Sequence, residues 1–158
     1  QFRFTRNRAQ VLDTAARLVR AGAEAESSGA RMFGSVRKDS LILAGRVLEN
    51  ATFEANGRLA WATVTSQTMA GLKVDSDEVR GMVTVIGDIE GVELAVLFKE
   101  FQAGRVKISL RSRGMATVGD IAEALGGGGH PFAAGVDVSG TMEETQARVL
   151  PLLRAKLA

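Results

Sequence analysis

Arg105-Val106-Lys107-Ile108-Ser109-Leu110-Arg111-Ser112-Arg113 alternates polar and apolar residues for most of its length. Successive side chains of a strand point to opposite faces of its sheet. The stretch therefore reads as a strand that sends Val106, Ile108 and Leu110 into a core and turns Lys107, Ser109, Arg111 and Arg113 to the other side. Between Phe101 and Gly119 there are four basic residues and no acid. A cationic strand face is either a solvated surface or a place for an anion, and the strand alone leaves both open.

Upstream, Val92-Glu93-Leu94-Ala95-Val96-Leu97-Phe98 is nearly continuous apolar and bounded by Gly91, as in a strand buried on both faces. Ala103-Gly104 supplies a turn that folds it back onto the basic strand. Further back, Asn56-Gly57 separates Thr52-Phe53-Glu54 from Leu59-Ala60-Trp61-Ala62-Thr63-Val64-Thr65, a strong hairpin signal. Trp61 is placed in the core or at its rim. Asp75 with Glu78 three residues on reads as a helix cap rather than a metal site, ahead of Val79, Met82, Val83 and Ile86. Before the hairpin the spacing is helical. Val11, Leu12, Ala15, Leu18 and Val19 form one stripe, Met32, Phe33 and Val36 a short second set, and Leu41, Ile42, Leu43, Ala44, Val47 and Leu48 another. The charged break Arg37-Lys38-Asp39 marks a boundary.

Downstream, Thr117 and Asp120 suggest a capped helix carrying Val118, Ile121, Ala122 and Leu125, which must stop at Gly126. There follows Gly126-Gly127-Gly128-Gly129-His130-Pro131-Phe132-Ala133-Ala134-Gly135. A glycine run is entropically costly unless a special backbone or a close ligand requires it. Pro131 suits the first position of a helix, and glycines feeding a helix start can aim N–H groups at an anion. The run is neither a Walker loop nor a dinucleotide fingerprint, and by itself it reads equally as a flexible turn or a ligand loop. His130 is structural, exposed, or a hydrogen-bond donor to a phosphate or base edge. Val136-Asp137-Val138 reads as a strand. Thr141 and Glu144 form a capping box for a last helix carrying Val149, Leu150, Leu152 and Leu153, which Pro151 should kink or end early.

At 158 residues, with 46% hydrophobic and 24% charged residues and two prolines, the chain has the balance of one folded core. The absence of cysteine excludes disulfides and thiolate chemistry. A single histidine excludes His-rich zinc sites and two-histidine protease motifs within the chain. No apolar run reaches the ~18 residues of a membrane span, and the opening lacks the apolar stretch of a signal peptide. The net charge of +2 says little about nucleic acid. Aromatic residues, at 5%, are too few for long tracking of a single strand by base stacking. The start at Gln1 rather than Met suggests a piece of something longer.

Lys107-Ile108-Ser109-Leu110-Arg111-Ser112-Arg113-Gly114, a spacer helix, and the Gly126 to Gly135 string together resemble the DHH-associated domain of DHH-family phosphoesterases, in the nanoRNase and 3'-phosphoadenosine-5'-phosphate phosphatase branch. The similarity extends upstream through Ile89 to Phe98, the Asn56-Gly57 hairpin and the helices before it. Phe2-Arg3-Phe4 resembles the last strand of a preceding DHH domain.

The resemblance implies an α/β fold, a mixed sheet flanked by helices and preceded by a helical linker. Residues 1–37 would be a remnant of the DHH domain, 38–50 a connecting helix and 51–158 the substrate-binding domain. It implies that Arg111 and Arg113 clamp phosphate, that Gly127, Gly128 and Gly129 admit substrate against bare backbone, and that His130 contacts the terminal nucleotide. Ser109 and Lys107 are weaker candidates for the same surface. Members hold a pair of manganese ions in the DHH domain, whose Asp-His-His motif this sequence lacks. The chain is thus expected to bind without cutting, and to hold neither a metal nor a catalytic residue. Its expected partners are a short RNA oligonucleotide or nucleotide bisphosphate and the DHH domain of the same parent chain, in the cytoplasm and away from membranes, with a homodimer left open. Cyclic dinucleotides or single-stranded DNA are the alternative substrates, and a non-catalytic RNA-binding or assembly domain is the alternative class.

Overall fold

The structure is a computed structural model that describes residues 8–33, 36–114 and 116–158. Its contacts fall into two units, Gln1–Arg37 and Lys38–Ala158. In the first, α1 (Arg8–Arg20) follows the helical spacing of the sequence and closes at Gly22, whereas α2 (Ala25–Phe33) lies mostly upstream of the second apolar set and ends before Val36. Phe2-Arg3-Phe4 lies outside the described residues.

The second unit begins with α3 (Lys38–Glu49). This is the helix expected as a connector, yet Leu43 and Val47 are fully buried in the unit's core, so it is one of the layers covering the sheet. The predicted hairpin follows as β1 (Thr52–Glu54) and β2 (Leu59–Val64), paired antiparallel. α4 (Ser76–Gly87) starts at Asp75, whose carboxylate accepts from the N–H groups of Asp77 and Glu78 while Glu78 answers with the reciprocal bond. That capping box is the one the sequence signals. α4 is also the crossover that lets β3 (Leu94–Gln102) lie parallel to β2, a connection that no tight turn can make.

β4 (Arg105–Ser112) folds back antiparallel on β3, as expected. α5 (Gly119–Ala124), β5 (Gly128–His130), β6 (Ala133–Ser139) and α6 (Met142–Ala155) complete the chain. The strand order is β1-β2-β3-β4-β6-β5, with β2 and β3 the parallel pair and the others antiparallel. The expected mixed sheet with flanking helices is what the structure has.

Two apolar layers hold it. On one side Leu94, Val96, Phe98, Val106, Ile108, Leu110, Val136 and Val138 pack with residues of α5 and α6. On the other, Ala60, Ala62, Val64, Ala95 and Leu97 pack under α3 and α4. Trp61 sits at the rim, edge-on to Phe98 at 6.1 Å, and its Nε1 donates to Glu54 at 2.9 Å.

Four local readings are corrected. The glycine run does not feed a helix. It forms edge strand β5, Pro131 and Phe132 make the turn, and β6 follows, so the helix-start argument for an anion falls away. Thr117 does not cap α5: the N-cap is Val118, without a side-chain cap, and the N–H groups of Val118 and Gly119 donate to Pro131 O at 2.7 and 3.2 Å. Ser109, a weaker candidate for the ligand surface, does not lie on it, because α4 packs over β3 and β4 and buries it. Finally, α6 runs through Pro151 to Ala155. A proline inside a helix costs about 3 kcal/mol, and burial of Val149, Leu150 and Leu153 on the sheet offsets it.

Candidate functional site

Residues directly opposed across a sheet share a face, so the register places side chains that the sequence leaves apart. Ala95 opposes Arg111, Arg111 opposes Ala133, and Ala133 opposes His130. One row thus carries Arg111 and His130 on the same face, two strands and about 10 Å apart. The neighbouring row runs Leu97, Ser109, Gly135, Gly128. Between the two polar groups, then, the floor is Ala133, Gly135 and Gly128.

This floor is open. α4 packs over β2, β3 and β4, while α5 covers β5 and β6 from the opposite face, where Ala134, Val136 and Val138 are buried. On the α4 side Gly128 and His130 are exposed, and Ala133 and Gly135 half-buried. The result is a shallow trough with a floor of small residues, bordered by α4 on one side and by the β5 edge on the other.

The glycines divide by role. A Cβ on Gly127 would collide with Gly135 O and Val136 Cβ, and one on Gly129 would lie 2.6 Å from Ala133 O and Ala134 Cα. Both are close-packed on β6, and Gly129 has φ +146° besides. A Cβ on Gly128 would meet nothing within 4 Å, so of the three Gly128 is the one with open space before it. Gly126, at φ +87°, closes α5: Gly126 N–H donates to Glu123 O and Gly127 N–H to Ala122 O, the paired bonds of a Schellman end.

Arg111 is half-buried. Among the described residues its guanidinium makes a hydrogen bond to its neighbour's carbonyl, Leu110 O, at 2.9 Å, and no ion pair. Burial, and then the Arg80 guanidinium nearby on α4, push its pKa down from the ordinary value. A partly desolvated cation with a second cation beside it and no carboxylate against it would be stabilised by an anion. Arg113 differs. It lies just past the end of β4, its Nε donates to Gly87 O at 2.7 Å, and a second nitrogen stands 3.8 Å from Asp88. It caps the end of α4, whereas Arg111, Gly128 and His130 are brought together in the trough.

Arg80 was missed by sequence reasoning. It lies on an exposed flank of α4 and pairs with Asp77 at 3.0 Å. Its place beside Arg111 depends on the β2-α4-β3 crossover, and no local pattern announces that. The cleft between β2 and the start of α6, lined by Trp61, Glu100 and Glu143 among others, carries carboxylates and no basic residue, so it is unsuited to phosphate. Among the described residues no three of His, Cys, Asp and Glu converge as a metal site, and no helix is long and apolar enough to cross a membrane.

Residues 56–157 match the model of the DHHA1 domain. The chain is 34% identical over 158 residues to the bifunctional oligoribonuclease and PAP phosphatase NrnA of Thermus thermophilus, a match covering 99% of this chain and 46% of that protein. Among solved structures, an exopolyphosphatase-related protein of Bacteroides fragilis superposes with a TM-score of 0.80 at 24% identity, over 96% of this chain and 43% of its own. A pGpG-specific phosphodiesterase of Vibrio cholerae superposes with a TM-score of 0.54 at 15% identity, over 77% and 39%. The two structural likenesses speak to the fold. The chain spans less than half the length of each of these three proteins.

Proposed function

The chain belongs to the DHHA1 domain family, and from that premise we propose that its trough grips the phosphate-bearing end of a short RNA oligonucleotide, or a nucleotide bisphosphate such as 3'-phosphoadenosine 5'-phosphate, for hydrolysis by a DHH domain outside these 158 residues. The observation that carries the reading is the half-buried Arg111 guanidinium, without a carboxylate partner among the described residues and in one row with His130 across a floor of small residues. A guanidinium pairs bidentately with phosphate oxygens. Arg80 adds positive charge from α4, and the His130 imidazole donates to a phosphate oxygen or a base edge. Ala133, Gly135 and Gly128 let the ligand lie close to the backbone.

The relative whose name joins an oligoribonuclease with a PAP phosphatase supports this substrate class, since both substrates are ribonucleotides that carry phosphate. A pair of manganese ions held by the DHH domain would supply the activated water. The residues of this chain bind and orient, and the chain alone does not cut.

Calorimetric titration of a 5'-phosphorylated diribonucleotide at fixed moderate salt tests the reading. Binding should not require manganese, and Arg111→Ala should weaken it by about ten- to a hundredfold, corresponding to ~1.5–3 kcal/mol for a lost charge-assisted contact. Affinity unchanged by Arg111→Ala would move the site elsewhere, and manganese-dependent turnover by the chain alone would place the chemistry within it.

A further inference from the structure

Beyond Ser109, which α4 buries, the polar face of β4 resumes toward the β3-β4 turn, where the sequence places three more cations and an aromatic ring. Lys107 lies on the same face four positions from Arg111, about 13 Å along the strand. Directly opposite Lys107 in β3 stands Lys99. Lys99 is half-buried and makes no hydrogen bond or ion pair among the described residues. Like charges opposed across a ladder repel, and of the two lysines only Lys107 has a carboxylate partner among the described residues. Asp137, across from Lys107 in β6, stands 3.8 Å from it with both side chains more than two-fifths exposed. Glu100 shares its register with Val106 and so belongs to the other face. Asp77 of α4 is paired with Arg80.

At the tip the register shifts between Glu100 and Gln102, which leaves Phe101 as the extra residue of a bulge. Phe101 is 45% exposed, and the Arg105 guanidinium lies 5.8 Å from its ring centroid. Bulges re-aim side chains, and an exposed ring beside a guanidinium is a platform for a nucleobase.

We propose that Lys99, Lys107 and Arg105 form a second phosphate subsite at the β3-β4 tip, with Phe101 stacking a base, so that a single-stranded oligoribonucleotide longer than a dinucleotide runs from the trough over Ala133 and Gly135 of β6, beside α4, to the tip. The inference rests on the trough as the site for the strand's end, and extends that site into a track. A dinucleotide seated at Arg111 reaches only the first site, whereas a longer strand reaches both.

The test titrates a 5'-phosphorylated diribonucleotide and a 5'-phosphorylated pentaribonucleotide into the 158-residue chain, its Lys99→Ala/Phe101→Ala variant and its Arg111→Ala variant. The wild type should bind the pentamer about tenfold more tightly than the dimer. Its affinity for the pentamer should also fall more steeply with salt, by about 0.7 in logarithmic slope for each added phosphate contact. In Lys99→Ala/Phe101→Ala the gap between the two lengths should narrow to about twofold or less. Equal wild-type affinities for the two lengths, no binding of either, or a gap that survives in that variant each overturns the subsite. Arg111→Ala tells the two readings apart. If it leaves dimer affinity intact the trough reading fails, while a length advantage that depends on Lys99 and Phe101 still stands for the tip. Thermal unfolding without RNA is the control: relieving the Lys99–Lys107 repulsion should leave the melting temperature of Lys99→Ala at or above the wild-type value, and a lower one makes Lys99 structural and overturns the assignment.

Discussion

The β2-β3 half of the sheet is covered by helices on both sides, and the β6-β5 half on one. In the covered half, large apolar side chains such as Phe98, Leu94 and Leu97 are almost wholly buried. In the open half, the uncovered face carries Ala133, Gly135, Gly128, His130 and Asp137, too small or too polar to have recruited a helix. The covered half and the proposed ligand surface thus occupy different parts of one sheet, and β4 is where they meet, with Ile108 and Leu110 on its buried face and Arg111 on the other.

The sharpest way to break the comparison is to damage the covered half. Phe98→Ala removes a fully buried ring at the centre of the larger core layer, and should cost about 3–5 kcal/mol in denaturant unfolding. Under native conditions it should leave nucleotide affinity within a small factor of wild type. A large loss of affinity in a still-folded variant would mean that the two halves are not separable.

Next comes a contrast inside the open half. Gly129→Ala forces a Cβ against Ala133 O and Ala134 Cα at a positive φ, and overpacking of this kind costs about 1–3 kcal/mol. Gly128→Ala meets open space, and its stability should stay within about 0.5 kcal/mol of wild type. Equal destabilisation by both, read from urea midpoints, would show that the β5 edge is uniformly packed and that the trough floor is not open.

The smallest effect concerns the tie between β1 and α6. Arg154 Nε donates to Glu54 Oε2 at 2.6 Å, and this hydrogen bond leads the causes that hold the Glu54 carboxyl below its ordinary value of 4.5. Because the folded value is depressed, the contribution is fully present above the unfolded value and fades as pH falls through the folded one. Glu54→Gln should therefore lower the melting temperature slightly at neutral pH, and the two unfolding profiles should converge in acid. A gap that stays constant from neutral to strongly acid pH would remove Glu54 from the balance.

What could be read from the sequence follows the range of the forces involved. Alternation in β4, the Asn56-Gly57 hairpin and the capping boxes at Asp75 and Thr141 depend on residues within a few positions of each other, and all of them form. β5 was not legible, because three strand residues that include two glycines carry no β-propensity; close approach to β6 makes the strand. Helix α6 passes through Pro151 because tertiary burial outweighs local preference. In the site, Arg111 and His130 stood out through a family resemblance, but their common row comes from the β4-β6-β5 register. The separate engagement of Arg113 by Gly87 O, and the approach of Arg80, depend on where the crossover helix lands.

The central claim is that the open half of the sheet, centred on Arg111, receives the ligand's phosphate. Mapping amide chemical-shift changes while a 5'-phosphorylated diribonucleotide is titrated into the chain tests it most directly. The account predicts the largest changes at Arg111, Gly128, Ala133 and Gly135, with the β2-β3 half quiet. Changes centred instead on the Trp61 and Glu143 cleft, or no changes at all, would contradict it.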